Sequence, residues 1–325
     1  MKPLDSRISL IQKTVENWLT HCDLTMSMVA GDASFRRYFR IQSGTDSWII
    51  MDAPPDKEDC TGFIDVTSRL RDAGLHAPEV LKADLENGLL LLEDLGDIQY
   101  KPLINPESAD SCFQPLFSAM AAFVKSVNTD SLAKYSYRLL QTELDLFPDW
   151  YLEQHKQQPF LITEQLAWEQ LCNRLIISAR EQRQVFVHRD FHSCNVLKTD
   201  NNDPGIIDYQ DAVLGPITYD LVSLLWDRYI SWPRAKITGW CEQFRQQLEL
   251  DVPTDEWQRQ CDFMSLQRNL KIIGIFARLH YRDQKSGYLE MIPRFWDYCM
   301  DILGRYPEFE GVFQALSESR RGPGN

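Results

Sequence analysis

The stretch Val185–Asn195, VFVHRDFHSCN, decides how this chain is read, together with Asp208 in GIIDYQD further on. It sets His188-Arg189-Asp190 and then Asn195 on one loop, with a lone acid beyond the next strand. That order suits phosphoryl transfer from a metal-bound nucleotide. Asp190 is placed to accept the proton of an attacking hydroxyl. Asn195 and Asp208 offer a neutral and an anionic oxygen, the ligand type that Mg²⁺ takes. The local pattern agrees. Val185–Val187 reads as a short buried strand, Asn195–Lys198 as a second and Gly205–Ile207 as a third, with Asp200–Gly205 a turn. The hairpin is expected to bring Asn195 and Asp208 back toward Asp190.

Working outward, Leu4–Leu19 has helical spacing, with Ile8, Ile11, Val15 and Leu19 on one face. Ser34–Ile41 and Ser47–Met51 read as strands, Thr61–Ala73 as a helix ending at Gly74, and Val80–Leu81 and Gly88–Leu92 as a further strand pair. Glu93–Asp97 is a polar break, and beyond Pro106 the pattern is mostly helical. This predicts an α+β chain with a β-rich part, 1–96, and a helix-rich part, 97–325.

Within the first part, Gly31–Arg40, GDASFRRYFR, is a small-residue turn entering a strand. Such a turn can close over phosphates with its backbone N–H groups, with Ser34 adding a hydroxyl and Arg36, Arg37 and Arg40 adding charge. It also fits an ordinary hairpin with solvated arginines. Alternation puts Arg36 and Arg40 on one face and Arg37 on the other. Glu93-Asp94-Leu95 after Leu89–Leu92 fits an adenine-binding backbone, or equally a buried strand leaving the core.

In the second part, His188 and His192 lie four apart, but on a loop without helical period, which disfavours a zinc site. His188 reads as a brace for the loop. Arg189 is either a structural cation or a phosphate contact. Asp220, at the start of a helix, reads either as a buried anchor for the loop or as a first-turn acid facing the helix dipole. Trp150, Arg278 and Arg282 are candidates for holding a sugar, with Lys271 a further basic residue nearby in sequence.

Lys and Arg total 34 against 47 Asp and Glu, a formal charge of −13. An acidic surface repels phosphate backbones and argues against nucleic acid as partner. No apolar run is long enough to span a bilayer, and the start, MKPLDSRISL, lacks a signal peptide's apolar stretch. The eight cysteines show no CxxC pair and read as reduced thiols. A cytoplasmic protein without a membrane partner is expected.

The motifs GDASFRRYFR, LLLEDLGD, HRDFHSCN, IIDYQDA and GPITYDLVSLL, in this order, resemble the aminoglycoside phosphotransferase and choline kinase-like family, relatives of protein kinases. The resemblance covers most of the chain and implies a bilobed, protein kinase-like fold with a small β-rich N-lobe and a larger helical C-lobe. It also implies ATP and Mg²⁺ as cofactors. WIIMDAPP, ELDLFPDWYLEQH and IGIFARLHYRD narrow it toward members that phosphorylate the anomeric C1 hydroxyl of acetylated amino sugars in cell-wall salvage. Carried over, Asp190 is the catalytic base, Asn195 and Asp208 the metal ligands, and Asp220 the loop anchor. Gly31–Arg37 is the phosphate loop, and Glu93 and Leu95 present the adenine-binding backbone. Aminoglycoside, choline and homoserine stay open as acceptors, as does a non-catalytic nucleotide-binding module. The chain departs from protein kinases at Met51, which stands about where the phosphate-binding lysine is expected, and an arginine of Arg36–Arg40 is expected to supply that charge. Asp208-Tyr209-Gln210 in place of Asp-Phe-Gly suggests a metal loop without a regulatory flip.

Overall fold

The structure, a computed structural model, describes residues 6–20, 23–30, 35–317 and 321–323. The chain divides into two compact units that are not contiguous in sequence. The smaller holds the described residues through Leu103, with Ser126–Asn128 and Cys194–Asp211; the larger holds Ile104–Lys125, Thr129–Ser193 and the described residues from Ala212 on. A single cut after residue 96 is therefore too simple: the polypeptide re-enters the smaller unit twice, the second time with the segment that carries Asn195 and Asp208.

The smaller unit runs α1 (Ser6–Trp18), β1 (Thr25–Ala30), β2 (Arg37–Ser43), β3 (Asp46–Asp52), α2 (Cys60–Asp72), β4 (Val80–Asp84) and β5 (Leu89–Glu93). The strands form one antiparallel sheet in the order β1-β2-β3-β5-β4. Alternation explains its core. Phe39 and Ile41 of β2, Ile50 of β3, and Leu89 and Leu91 of β5 bury against Ile11 and Val15 of α1 and Leu19 just beyond it. Gly88 has φ +66°, and a Cβ there would stand 1.9 Å from the Ala53 carbonyl oxygen, so only glycine closes this turn. Asp59 caps α2 by accepting from the Thr61 N–H at 2.8 Å.

Two ribbons follow: β6 (Gln184–Val187) pairs with β9 (Val213–Pro216) in the larger unit, and β7 (Val196–Leu197) with β8 (Gly205–Ile206) in the smaller.

The larger unit is mainly helical. Its helices are α3 (Ala109–Lys125), α4 (Tyr137–Leu146), a π-helix (Phe147–His155), α5 (Ile162–Glu181), α6 (Tyr219–Leu225), α7 (Arg234–Gln247), α8 (Thr254–Tyr281), α9 (Ile292–Leu303) and α10 (Glu310–Ser317). Pro148 brings no N–H to the helical ladder, so the α4 pattern cannot continue and the next turns are wide ones. α8 is the central post, buried over most of its middle. Gly274 lets it approach α4: a Cβ there would lie 2.4 Å from the Leu146 backbone. Among the described residues, no helix is long and apolar enough to cross a membrane.

Candidate active site

In the larger unit, β6 leads directly into the HRD loop. His188 is fully buried, with its ring tilted against Phe123 and edge-on to Phe191. The peptide N–H groups of His188 and Arg189 donate to the two carboxylate oxygens of Asp220, at 2.7 and 3.1 Å. The Asp190 N–H donates to His188 Nδ1 at 3.3 Å. Asp220 is buried in the first turn of α6, so the geometry is that of an anchor and not of a solvent-facing acid. Burial pushes its carboxyl up to about 7, against the two amide donors that favour the ionised form.

Arg189, at φ +75°, turns its guanidinium inward to Glu143, 2.8 Å away. It is a structural cation here. Glu143 sits buried on α4 and also pairs with Lys271 at 2.9 Å, accepts from Gln267 at 3.1 Å and accepts from the Tyr135 hydroxyl. Burial works to raise its pKa, but Lys271 and Arg189 prevail and hold it below the usual range. Lys271 is thus committed to this hub and to the Tyr219 hydroxyl at 3.1 Å.

Asp190 itself is exposed. Desolvation by neighbouring protein works upward on its carboxyl, and Lys271 first, then Arg268, work downward, with a net lowering. It therefore stands ionised at neutral pH, in the form that accepts a proton. His192 is buried, and its Nε2 lies 3.0 Å from Arg228 Nη2. A guanidinium only donates, so Nε2 carries no hydrogen. Burial, then the Arg228 charge, brings the His192 pKa down to about 3, and the ring is neutral. Ser193 Oγ donates to Asp227 at 2.6 Å.

In the smaller unit, the β7–β8 ribbon brings Asn195 and Asp208 together. Asn195 Nδ2 lies 3.1 Å from Asp208 Oδ2, and the Ile207 N–H donates to the Asn195 carbonyl at 3.1 Å. Asp208 is exposed and has φ +65°, a strained backbone for a residue other than glycine. Its other oxygen accepts from Gln210 at 2.9 Å. Beside it, burial raises the Tyr38 pKa, with the charges of Arg36, Asp208 and Glu58 all acting on that hydroxyl. Arg36 forms an ion pair with Glu58 at 2.8 Å, just ahead of α2.

The neighbouring arginines are used differently. Arg37 lies 2.6 Å from the fully buried Asp52, which Arg7 of α1 also grips. Arg40 holds Asp94 at 2.6 Å and Asp97 at 2.5 Å. Arg37 and Arg40 act as braces, and Arg36 is the cation of this set that shares its surroundings with Asp208. Met51 is buried in β3. Gly31 and Ser34 lie outside the described residues.

Glu93 ends β5. Its N–H donates to the Glu79 carbonyl at 2.9 Å, and its carboxylate meets His76 at 3.1 Å and Arg71 at 3.2 Å. With Leu95 it lines an open pocket of about 660 Å³, whose other walls include Arg71, His76, Asp97 and Lys198–Asn202. Neither Asn195 nor Asp208 nor Arg36 lines this pocket. It and the metal-type pair are separate features of the smaller unit.

Of the residues offered for a sugar, Trp150 is half-buried on the π-helix and Arg278 half-buried on α8. These two elements also meet where His155 Nδ1 lies 2.9 Å from the Tyr281 hydroxyl. Arg282 is exposed and ion-paired to Asp283 at 2.7 Å. Sequence reasoning missed Glu143, Glu58, Arg228 and Arg268. Glu143 alone left a trace, an acid at a core position between Leu140, Leu144 and Phe147 of an amphipathic helix. No group of three or more metal-binding His, Cys, Asp or Glu side chains occurs among the described residues.

Comparison with known proteins identifies the family. Residues 25–259 match the model of a phosphotransferase enzyme family. The chain is 42% identical over 299 residues to the N-acetylmuramate/N-acetylglucosamine kinase of Pseudomonas aeruginosa, covering 90% of this chain and 88% of that one. It is 34% identical to the kinase of the same name from Neisseria meningitidis, covering 94% and 95%. Among solved structures it resembles choline kinase LicA from Streptococcus pneumoniae, at a TM-score of 0.63 and 12% identity over 95% of this chain and 100% of that one. It also resembles ADP-bound aminoglycoside phosphotransferase APH(2'')-Ib, at 0.61 and 12% identity over 95% and 99%. The fold is accordingly α+β and protein kinase-like, and the chain belongs to the phosphotransferase enzyme family of aminoglycoside phosphotransferases and choline kinase-like proteins.

Proposed function

We propose that this chain is an ATP- and Mg²⁺-dependent kinase of the anomeric C1 hydroxyl of N-acetylmuramate and N-acetylglucosamine, serving cell-wall sugar recycling in the cytoplasm. The observation that carries the reading is Asp190: an ionised, accessible carboxylate on a loop whose peptide N–H groups are tied to a buried acid. The acceptor class follows the relatives at 34–42% identity, which carry that name over most of this chain. Choline kinase and the aminoglycoside enzymes, at 12% identity, support the fold alone.

The donor set fits the cofactor. Asn195 and Asp208 offer only hard donors, an amide oxygen and a carboxylate, and Asp208 is already held in a strained backbone at hydrogen-bond distance from Asn195. Mg²⁺ held there would neutralise charge on the nucleotide, and ATP would supply the phosphoryl group. We assign the phosphate contacts to Gly31, Ser34, Arg36 and Arg37, with Arg36 the principal cation because it shares its surroundings with Asp208, and its partner Glu58 is not fully buried as the Asp52 that holds Arg37 is. The adenine contacts fall to the backbone of Glu93 and Leu95. Residues 1–96 with the Asn195–Asp208 ribbon form the nucleotide part, and the remainder of 97–325 the catalytic and substrate part.

In the reaction, the Asp190 carboxylate accepts a hydrogen bond from the sugar's C1 hydroxyl and orients its oxygen. The proton passes to Asp190 as that oxygen bonds to phosphorus and ADP departs. A hemiacetal hydroxyl is more acidic than an ordinary alcohol, so the lowered basicity of Asp190 suffices. Positioning and charge neutralisation supply most of the acceleration. Asp220 keeps the loop in place, and His188 fills the space beneath it. Trp150 and Arg278 are proposed sugar contacts, with Arg282 at their margin.

The test is ADP release by the purified protein with N-acetylmuramate, N-acetylglucosamine, an aminoglycoside, choline and homoserine as acceptors. Turnover with the two amino sugars alone is expected. Turnover with choline, homoserine or an aminoglycoside in their place, or with no acceptor, would overturn the assignment.

A further inference from the structure

Beside Asp190, the larger unit holds two guanidinium groups that no carboxylate satisfies. Arg268 is about 5% exposed on α8, and among the described residues no acid lies within ion-pair distance of it. It stands one turn before Lys271 on α8, the helix that packs against α6 and its Asp220, and its charge bears on Asp190 and His192. Arg228 is half-buried after α6, and its polar side-chain contact is the donation to neutral His192 at 3.0 Å. This is unlike the other basic groups of the same neighbourhood. Arg189 and Lys271 share Glu143, at 2.8 and 2.9 Å. Among the described residues Arg278 also has no acid in ion-pair distance, but the charges that act on it are those of Arg282 and Asp283.

Burying an arginine is costly unless an anion or a full set of acceptors meets it. His192 cannot supply that charge, because its ring is neutral and merely orients Arg228 through Nε2. The His192 imidazole works as a spacer: it accepts from Arg228 and adds no positive charge of its own. The arrangement is a cation pair kept ready for an anion that arrives with the ligand. It also answers a difficulty of composition, since a chain of net charge −13 needs a local positive site to attract an acidic sugar.

We propose that Arg228 and Arg268, with His192 holding Arg228 in place, form the subsite that receives the carboxylate of an acidic acceptor, the lactyl group of N-acetylmuramate. The inference rests on the amino-sugar kinase reading and sharpens it, because N-acetylglucosamine lacks that carboxylate. The pair then governs preference between the two sugars. An alternative anion of the same chemistry is the phosphoryl group in transfer, and the experiment separates the two sources.

The experiment measures kcat and KM for both sugars, and KM for ATP, in the wild-type protein and in Arg228→Gln, Arg268→Gln, Arg228→Lys and Arg268→Lys. Each glutamine variant should lower the ratio of kcat/KM for N-acetylmuramate over N-acetylglucosamine by about 10- to 100-fold, mostly through the N-acetylmuramate KM, as expected for losing a charge-assisted contact. The lysine variants should recover part of the ratio, and they stand in wherever a glutamine variant melts early. A ratio within about threefold of wild type in all four overturns the subsite. If that unchanged ratio comes with a parallel loss of turnover on both sugars or a raised ATP KM, the guanidiniums face the phosphoryl group instead. Absence of turnover by the wild-type protein on either sugar would fail the kinase reading and the subsite with it, a result distinct from an unchanged ratio.

Discussion

Arg7, Arg37 and Arg40 of the smaller unit and Arg228 and Arg268 of the larger are treated in opposite ways. Arg7, Arg37 and Arg40 each meet a carboxylate, and Asp52 serves two of them while fully buried. Arg228 and Arg268 meet none among the described residues. A paired arginine spends its charge on holding elements in register, as Arg37 and Arg7 do in tying β2 and α1 to the end of β3. An unpaired buried one carries a desolvation cost that the fold alone does not recover, and it stays available to a ligand. The distinction separates scaffold from recognition without reference to any relative.

The largest effect is expected at the acid itself, not at either kind of arginine. Asp190→Asn keeps the side chain's size and removes the proton acceptor, so kcat should fall by about 10²- to 10⁴-fold with little change in the ATP KM. Steady-state rates check this, and retained turnover would remove Asp190 from its role. Next comes the comparison itself. Asp52→Ala strips Arg7 and Arg37 of their shared acid and should cost about 3 kcal/mol, read by denaturant unfolding. Arg268→Met removes a buried charge that has no ion-pair partner and should leave stability within about 1 kcal/mol of wild type, or raise it. Equal losses in the two variants would break the distinction.

The smallest effect is a slope. The folded His192 pKa is depressed to about 3, below that of an unfolded histidine. Between the unfolded pKa near 6.5 and the folded value, the unfolded chain binds a proton that the folded one refuses. Stability is complete above that range and is lost as pH falls through it, by up to about 1.4 kcal/mol per pH unit from this group. His192→Gln, which keeps an acceptor for Arg228, should show a shallower loss of stability from pH 6.5 to 4.5 in thermal melts. An unchanged slope would mean that His192 is not the neutral spacer described.

Much of the fold was legible because it rests on local pattern. The strands read at Ser34–Ile41 and Ser47–Met51 and the ribbon that joins Asn195 to Asp208 all follow from residues close in sequence. The spacing of Asp190, Asn195 and Asp208 likewise pointed to the phosphotransferase family that the chain belongs to. The division after residue 96 fell short, because it treated the Cys194–Asp211 segment as part of whatever surrounds it in sequence. The π-helix was hidden as well: FPDWYLEQH has ordinary helical composition, and only the Pro148 donor gap hints at wider turns. Charge pairing was the least legible layer. Lys271, a candidate for the substrate, is spent on Glu143, which lies far away in sequence, while Arg228 and Arg268 drew no notice. Which cation meets which acid depends on packing between helices, and no spacing rule reports it.

The central claim is that this chain transfers phosphate to the C1 hydroxyl of an acetylated amino sugar. The most direct measurement is phosphorus–proton correlation NMR of the product made from ATP and N-acetylglucosamine. The account predicts a single phosphate coupled to the anomeric proton and lost on mild acid treatment. A phosphate coupled to the C6 protons and stable in acid would contradict it.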